Sequence, residues 1–387
     1  MISKPLLSAL AGLRTITRIV TNQGIEMTTK ISGTFMGSLA LATAALSFML
    51  CTAARATPAC TQWSPPPLTE AEQLQQQVTW GPWRSYEERF VRLDTAQAPT
   101  PTYHVLMKRK PGPVDTTRPV VLLLHGVPEF ARSWETWIDL IGEHYDVVAV
   151  DFKGFGESSR PLEIKAYDVF RSTGEIHDVV SCLGYRKVIP VGHDWGGAVA
   201  WLYSIFYPMK TQAVVVLSTP HPYTYFRELA KPDSEQRQRS IYIDLVRQNT
   251  PEATAQFHAL MEPQIQALLQ PYYAGSRAAR LFDTNMKTDW HWDRMLSLYR
   301  AMAYPPSPWL YPDRANLVMK TVLKVRAPAL AFYGQDDPLF AIESWRDVES
   351  FVPNLDFQVL PGQGHFINHS APELPRKALA FIQQHAP

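Results

Sequence analysis

Seven consecutive residues, Val191-Gly192-His193-Asp194-Trp195-Gly196-Gly197, carry the most specific chemical signal in this 387-residue chain. An apolar run, Lys187 to Val191, leads into them, and a stretch rich in Ala, Trp and Leu leaves them with helical character to about Tyr207. Small residues two before and two after a central side chain describe a strand-turn-helix elbow that presents that side chain. Gly192 and Gly196 hold those places, where a Cβ would crowd the turn. The presented residue is a carboxylate, Asp194. A carboxylate can displace a leaving group at a saturated carbon and form an alkyl ester, which water then cleaves. A serine attacking the same carbon would end as an ether. The elbow therefore points to displacement at carbon followed by hydrolysis, and its intact glycines argue against a merely structural Asp.

The second step needs a base for water. His365 lies in Pro361-Gly362-Gln363-Gly364-His365-Phe366, past the last apolar run, on a Gly-rich loop that can reach the elbow. His125 and His193 belong to turns around the site and read as backbone holders. His221 reads as part of a hinge, and His369 lies beyond any strand end. A carboxylate must orient the base. Gly334-Gln335-Asp336-Asp337-Pro338 supplies it, with Asp337 as the choice and Asp336 as the alternative. The other usual place for that acid reads Ser218-Thr219. Ester hydrolysis passes through an oxyanion, for which the backbone N–H groups of Trp195 and Val127 are the expected donors. The helix after the elbow adds its positive end, which favours negative charge at Asp194. The loop Asp151 to Ser158, with Gly154 and Gly156, reads as a compact structural turn.

These residues need elements to hold them. Val120–Leu124, Val147–Val150, Val188–Val191, Ala213–Leu217, Ala329–Tyr333 and Phe357–Leu360 are short apolar runs. Helical patterns lie between most of them, at Trp134–Ile141, Tyr167–Leu183, Gly196–Tyr207 and Ile342–Phe351. Buried strands alternating with helices predict an α/β fold: a mostly parallel sheet with helices on both faces and the ligand beyond the carboxyl ends of the strands. Glu88–Leu93 and Thr102–Arg109 alternate polar and apolar residues, as an antiparallel hairpin does. Roughly a hundred residues separate Leu217 from Ala329, far more than a loop. They are helical in pattern, broken by prolines and dense in Tyr, Trp, Phe and Met, and predict an inserted helical cap that shields an apolar pocket. The division that follows is 88–219 with 314–387 as the core, 220–313 as the cap, and 57–87 as an N-terminal arm with a short helical stretch over 69–77.

Residues 1–56 read as a targeting segment. Ile31 to Ala54 is uncharged and apolar, Lys30 precedes it, and Ala54-Arg55-Ala56 gives a cleavage pattern before Thr57. Met27 is a plausible start alongside Met1. An uncleaved anchor is the competing reading, since the run approaches spanning length. Removal would leave an exported chain, periplasmic or secreted, with two cysteines. Cys60 and Cys182 could pair, and two separate thiols, with Cys182 buried on a helix, is at least an equal reading, so the sequence leaves their pairing open. A net charge of +1 offers no argument for a nucleic-acid partner. Nothing fixes an oligomeric state.

Taken together, His125-Gly126-x-Pro128 with Trp134, Asp151-x-x-Gly154-x-Gly156-x-Ser158, the Gly192 to Gly197 elbow and Gly364-His365 resemble the epoxide hydrolases of the α/β-hydrolase fold, to which haloalkane dehalogenases are related. The resemblance spans about Arg89 to Gln384. It implies a cofactor-independent, metal-free enzyme that opens a small apolar epoxide to a vicinal diol. It also implies two cap tyrosines that hydrogen-bond the epoxide oxygen. Local pattern matches them to Tyr242 and Tyr299, with Tyr223, Tyr225, Tyr272, Tyr273 and Tyr304 as rivals. A dehalogenase with the same Asp, His and Asp is the alternative. It would bind halide with Trp195 and a cap Trp such as Trp290, Trp292 or Trp309, because Val127 stands where one dehalogenase group carries Asn. A non-catalytic binding protein on this fold is the alternative of another class.

Overall fold

The computed structural model describes residues 59–66, 86–94, 100–273, 286–304 and 317–387, together with the single residues 282, 306, 311 and 315. The targeting segment, the 69–77 stretch, Tyr273 (side chain only) and Trp309 lie outside what is described.

One sheet of nine strands runs through the described residues in the order β1-β2-β3-β5-β4-β6-β7-β8-β9. The strands are β1 (Cys60–Trp63), β2 (Glu87–Leu93), β3 (Thr102–Lys108), β4 (Val120–Leu124), β5 (Val147–Val150), β6 (Val188–His193), β7 (Val214–Leu217), β8 (Ala329–Gly334) and β9 (Leu355–Leu360). The β5-β4-β6-β7-β8-β9 portion is parallel, while β1, β2 and β3 pair antiparallel to one another and onto β5. The sheet is mostly parallel, as the apolar runs predict. The switch in strand order falls at β4, whose neighbours are β5 and β6. Ligands bind α/β sheets at such a point, where the connections leave in opposite directions and open a crevice.

Every residue of β4, β6, β7 and β8 is buried. Alternate residues of β4 face opposite layers, because side chains in a strand alternate. Val120, Leu122 and Leu124 join one apolar cluster; Val121 and Leu123 join the other. The second cluster is closed by α1 (Glu135–Ile141) and by the last helix, Leu374–His385. The first is closed by α2 (Val169–Cys182) and α3 (Trp195–Phe206), and it continues into the insertion through Ile243, Phe257, Trp292 and Met295. Burying each such large side chain contributes about 1.5–3 kcal/mol.

Between β7 and β8 the chain forms α4 (Pro222–Leu229), α5 (Glu235–Arg239), α6 (Tyr242–Val246), α7 (Pro251–Tyr273), α8 (Asp289–Met295), α9 (Ser297–Ala301) and α10 (Leu317–Val322). This is the large helical insertion expected between Leu217 and Ala329. No helix among the described residues is long and apolar enough to cross a membrane.

Two features differ from the sequence reading, and a third decides what it left open. The expected helix Ile342–Phe351 is two 3-10 segments, Ile342–Trp345 and Val348–Ser350. Asp347 between them is left-handed, at φ 62°, and Arg227 of α4 holds both its carboxylate and the Arg346 carbonyl, which prevents a continuous helix. The arm does more than lie on the core, because β1 pairs with β2 and extends the sheet. Cys60 and Cys182, whose pairing the sequence leaves open, form a disulfide across 122 residues. Pairing β1 beside β2 brings Cys60 to the end of α2, where Gln62 Nε2 also donates to the Cys182 carbonyl. Sequence spacing alone could not place those two ends together.

Candidate active site

Asp194 follows β6 directly and opens α3. Its backbone is at φ 51° and ψ −120°, outside helix and strand. Such a conformation costs on the order of 1–3 kcal/mol, so the surroundings must enforce it. They do so by close approach. A Cβ on Gly192 would stand 2.2 Å from the Gly196 carbonyl oxygen, and one on Gly196 would stand 2.0 Å from that of Leu124. The Asp194 carbonyl accepts from Thr219 Oγ1 at 2.8 Å and from the Ala198 N–H at 3.1 Å. Because β4 neighbours β6, the loop after β4 reaches the carboxylate, and the Val127 N–H donates to Asp194 Oδ1 at 2.9 Å. The Trp195 N–H lies in the first turn of α3, where no intrahelical acceptor exists.

His365 leaves the loop after β9 and points its ring at the elbow. Its Nε2 is 3.7 Å from Asp194 Oδ2, and its Nδ1 is 3.0 Å from Asp337 Oδ2. Asp337 is 1 % exposed and accepts the Leu339 and Phe340 N–H groups on Oδ1, whereas Asp336 is exposed. The structure thus brings Asp194, His365 and Asp337 together and leaves Asp336 outside. Burial disfavours charge on the His365 ring, but Asp337, Asp194 and Glu129 outweigh it and push the imidazole up to about 9. Burial likewise opposes ionisation of Asp337, and His365 with the two N–H groups brings it below the usual carboxylate range.

The other histidines are committed elsewhere. His125 bridges the Gly126 carbonyl and the Phe152 N–H. His221 is fully buried, caps α4 through the Tyr223 N–H and meets the Leu323 carbonyl; burial pushes it down to about 3. His193 contacts the His365 carbonyl through Nε2 at 3.0 Å and Glu129 through Nδ1 at 2.7 Å. Ser218 Oγ donates to the same His365 carbonyl at 2.9 Å. His369, with Asn368, meets the far oxygen of Glu129. Glu129 was not singled out from sequence. It is fully buried, and although burial opposes its charge, His193 and His369 hold it well below the usual range. Its one sequence signal is its place directly after His125-Gly126-Val127-Pro128, which does not reveal two histidines 64 and 240 residues away.

Above the carboxylate, Tyr242 and Tyr299 come within 3.4 Å of each other, hydroxyl to hydroxyl. The Tyr299 ring stands edge-on to Trp195, with centroids 5.2 Å apart. Burial is the leading reason that both phenols titrate well above the ordinary range; Asp194 adds to it for both. Both line an apolar cavity of about 430 Å³ that also contains Asp194, Trp195, Leu202, Phe206, Phe226 and Tyr225. Of the rivals, Tyr223 and Tyr225 also line it; Tyr225 is pushed up to about 12, chiefly by burial. Tyr272 instead stacks on His369, and Tyr304 lies under Arg237. Trp290 is half exposed, and the buried Trp292 gives its N–H to the Met286 carbonyl, so neither indole N–H is turned to this cavity. A larger open groove, about 930 Å³, lies between α4 and Ile342–Trp345 and contains none of these residues.

Comparison with known proteins identifies the family of the fold. A family model described as the alpha/beta hydrolase fold matches residues 119–372. Epoxide hydrolase 3 of Mus musculus is 30% identical over 274 residues, 68% of this chain and 71% of that protein. Epoxide hydrolase 4 of Mus musculus is 26% identical over 272 residues, 69% and 74% of the two chains. Among solved structures, an epoxide hydrolase of the alpha/beta hydrolase superfamily from hot-environment metagenomes superposes with a TM-score of 0.61. It is 24% identical, and the match covers 77% of this chain and 99% of that one. With an Asp elbow, a buried His-Asp pair behind it and a helical insertion above it, the chain belongs to the α/β-hydrolase superfamily and, within it, to the epoxide hydrolase family.

Proposed function

We propose that this protein hydrolyses a small apolar epoxide to a vicinal diol through a covalent ester on Asp194. The observation that carries the reading is the pair of hydroxyls of Tyr242 and Tyr299 over an Asp elbow backed by His365 and Asp337. Asp194 Oδ1 is held by the Val127 N–H, which leaves Oδ2 to attack a ring carbon. The ring C–O bond breaks, its electron pair goes to the oxygen, and a tyrosine hydroxyl supplies the proton that a strongly basic alkoxide needs. His365 then takes a proton from water as the water adds to the ester carbonyl. The N–H groups of Val127 and Trp195 stabilise the oxyanion; its collapse expels the diol oxygen, which takes the proton back from His365, and the proton on the new Asp194 carboxylic acid returns to the tyrosinate. Every group required belongs to the chain, so the scheme invokes no cofactor.

The test is turnover of styrene oxide in heavy-oxygen water, with mass analysis of the Asp194 peptide. Label should enter the Asp194 carboxylate over repeated turnovers; an unlabelled carboxylate after diol formation would sink the covalent route. Halide release from a bromoalkane with no diol from any epoxide would instead favour dehalogenation. We also propose that the chain is exported and begins at Thr57 when mature. The Cys60–Cys182 disulfide supports this, because such bonds persist in oxidising compartments. N-terminal sequencing of the secreted or periplasmic fraction checks it.

A further inference from the structure

Beside Asp151, three side chains, Glu88, His104 and Glu157, converge without taking part in the chemistry above. His104 on β3 is 1 % exposed. Its Nδ1 is 2.8 Å from Asp151 Oδ2. Asp151 also accepts the Ala131 N–H at 2.6 Å and the Glu157 N–H at 3.0 Å, so it acts as an acceptor throughout. The ring nitrogen facing it is therefore the donor, and in the neutral ring the lone pair lies on Nε2. That atom makes no hydrogen bond among the described residues. It faces Glu157 Oε2 at 3.3 Å and Glu88 Oε2 at 3.7 Å.

The 3.3 Å between His104 Nε2 and Glu157 Oε2 matches the spacing of two ligands on one cation. Ligands bound tetrahedrally at about 2.0–2.1 Å stand about 3.3 Å apart. The donor atoms of Glu88, His104 and Glu157 all lie within 4.8 Å of one another. The outer contacts are also in place. A carboxylate behind the ring fixes the tautomer and raises the basicity of a metal-bound histidine, and Asp151 sits there. Arg132 grips the other oxygen of Glu88 and so turns Oε2 toward His104. Glu88 and His104 are nearly enclosed, whereas Glu157 is 36% exposed, which leaves one side open for entry and for a water ligand.

We propose that Glu88, His104 and Glu157 form a binding site for a first-row divalent metal ion of the zinc type. One imidazole nitrogen with two carboxylates selects such ions over magnesium or calcium, which prefer all-oxygen shells. The site joins β2, β3 and the loop after β5. Asp151, shared with the Ala131 N–H, links it to the segment that carries Val127. The ion would act as a structural clasp behind the reacting carboxylate. A proton on Nε2 is the competing occupant; burial opposes it, but the carboxylates of Asp151, Glu88 and Glu157 outweigh burial and push the ring up to about 9, so the ion must displace it.

Titration calorimetry on the EDTA-treated full chain at pH 8, with zinc chloride and separately magnesium chloride, decides between them. The expected result is saturable 1:1 zinc uptake that magnesium does not reproduce. It should weaken at least about tenfold in Glu157→Gln, the more exposed and structurally milder change, and in His104→Gln. Zinc should also raise the Tm of the wild type and not that of either variant. Failure of the wild type to take up zinc, or uptake unchanged in both variants, overturns the site and leaves His104 as a proton-bearing partner of its carboxylates. Diol formation is not part of the readout, so the result is independent of the proposed reaction.

Discussion

His365 carries its proton to about 9 in the resting protein because Asp337, Asp194 and Glu129 together outweigh burial. One of those charges disappears during the reaction, since an esterified Asp194 is neutral. The base should then release its proton more readily than in the free protein. We expect single-turnover hydrolysis of the ester to rise with pH and level off with a midpoint below 9. A rate flat from pH 4 to 10 would count against His365 as the base. His365→Gln should leave attack intact and stall release, visible as a mass gain on Asp194 equal to one substrate. The cap hydroxyls act in the other half-reaction. Tyr242→Phe and Tyr299→Phe should each lower the rate of ester formation about 10²-fold, within the span of general acid catalysis, while the double change leaves little turnover. Stopped-flow quenching of Trp195, which touches Tyr299, offers a direct record of that step.

At the scale of elements, the elbow works because α3 is pressed against the end of β4. Gly196→Ala places a Cβ 2.0 Å from the Leu124 carbonyl oxygen, which is backbone and has nowhere to move. The expected loss is about 3 kcal/mol or more, read as a fall in the urea midpoint, together with loss of activity from a displaced Asp194. If Gly196→Ala kept both, the close approach would not be what sets the turn. The disulfide is a second element-scale feature, since it ties the edge strand β1 to the end of α2. Closing a long loop in this way typically stabilises by about 2–4 kcal/mol. Cys182→Ser should therefore lower the Tm while leaving kcat/KM close to wild type, because the bond lies at the other end of α2 from Asp168 and Val169, which line the cavity.

For the molecule as a whole, paired buried charges set a pH window of stability. The folded-state pKa of His365 lies above its unfolded value of about 6.5. Its contribution is complete below 6.5 and is lost as pH rises through about 9, because the folded state binds the extra proton in that interval. Glu129 and Asp337 are displaced the other way. Their contribution is present above about 4.5 and fades as pH falls below it. Thermal unfolding should therefore be most resistant between about pH 4.5 and 6.5 and should decline on both sides. His365→Gln should reduce the alkaline limb without abolishing it, because, against burial, Asp151 and Glu88 also push His104 up to about 9. An alkaline limb unchanged by that substitution would mean that other groups set it. The cap belongs to this scale too, since its core is continuous with one face of the sheet through Ile243, Phe257 and Trp292. It therefore folds as part of the same body.

Residue order alone determined the chemistry-bearing turn. Gly192 and Gly196 around Asp194 leave few other local conformations, and a carboxylate there limits the reaction to attack at carbon. Apolar runs alternating with helical periods likewise fixed a covered parallel sheet, because strands buried on both faces lose their polar alternation. Tertiary structure decided what depends on distant pairs. It separated Asp337 from its neighbour Asp336 by turning one inward and one to solvent. It broke Ile342–Phe351 by giving Arg227 two acceptors there. It joined Cys60 to Cys182, and it gathered Glu129, His193 and His369 behind His365. Each of these depends on contacts across 64 to 240 residues, or on which way a loop residue faces, and local propensity carries no information about either.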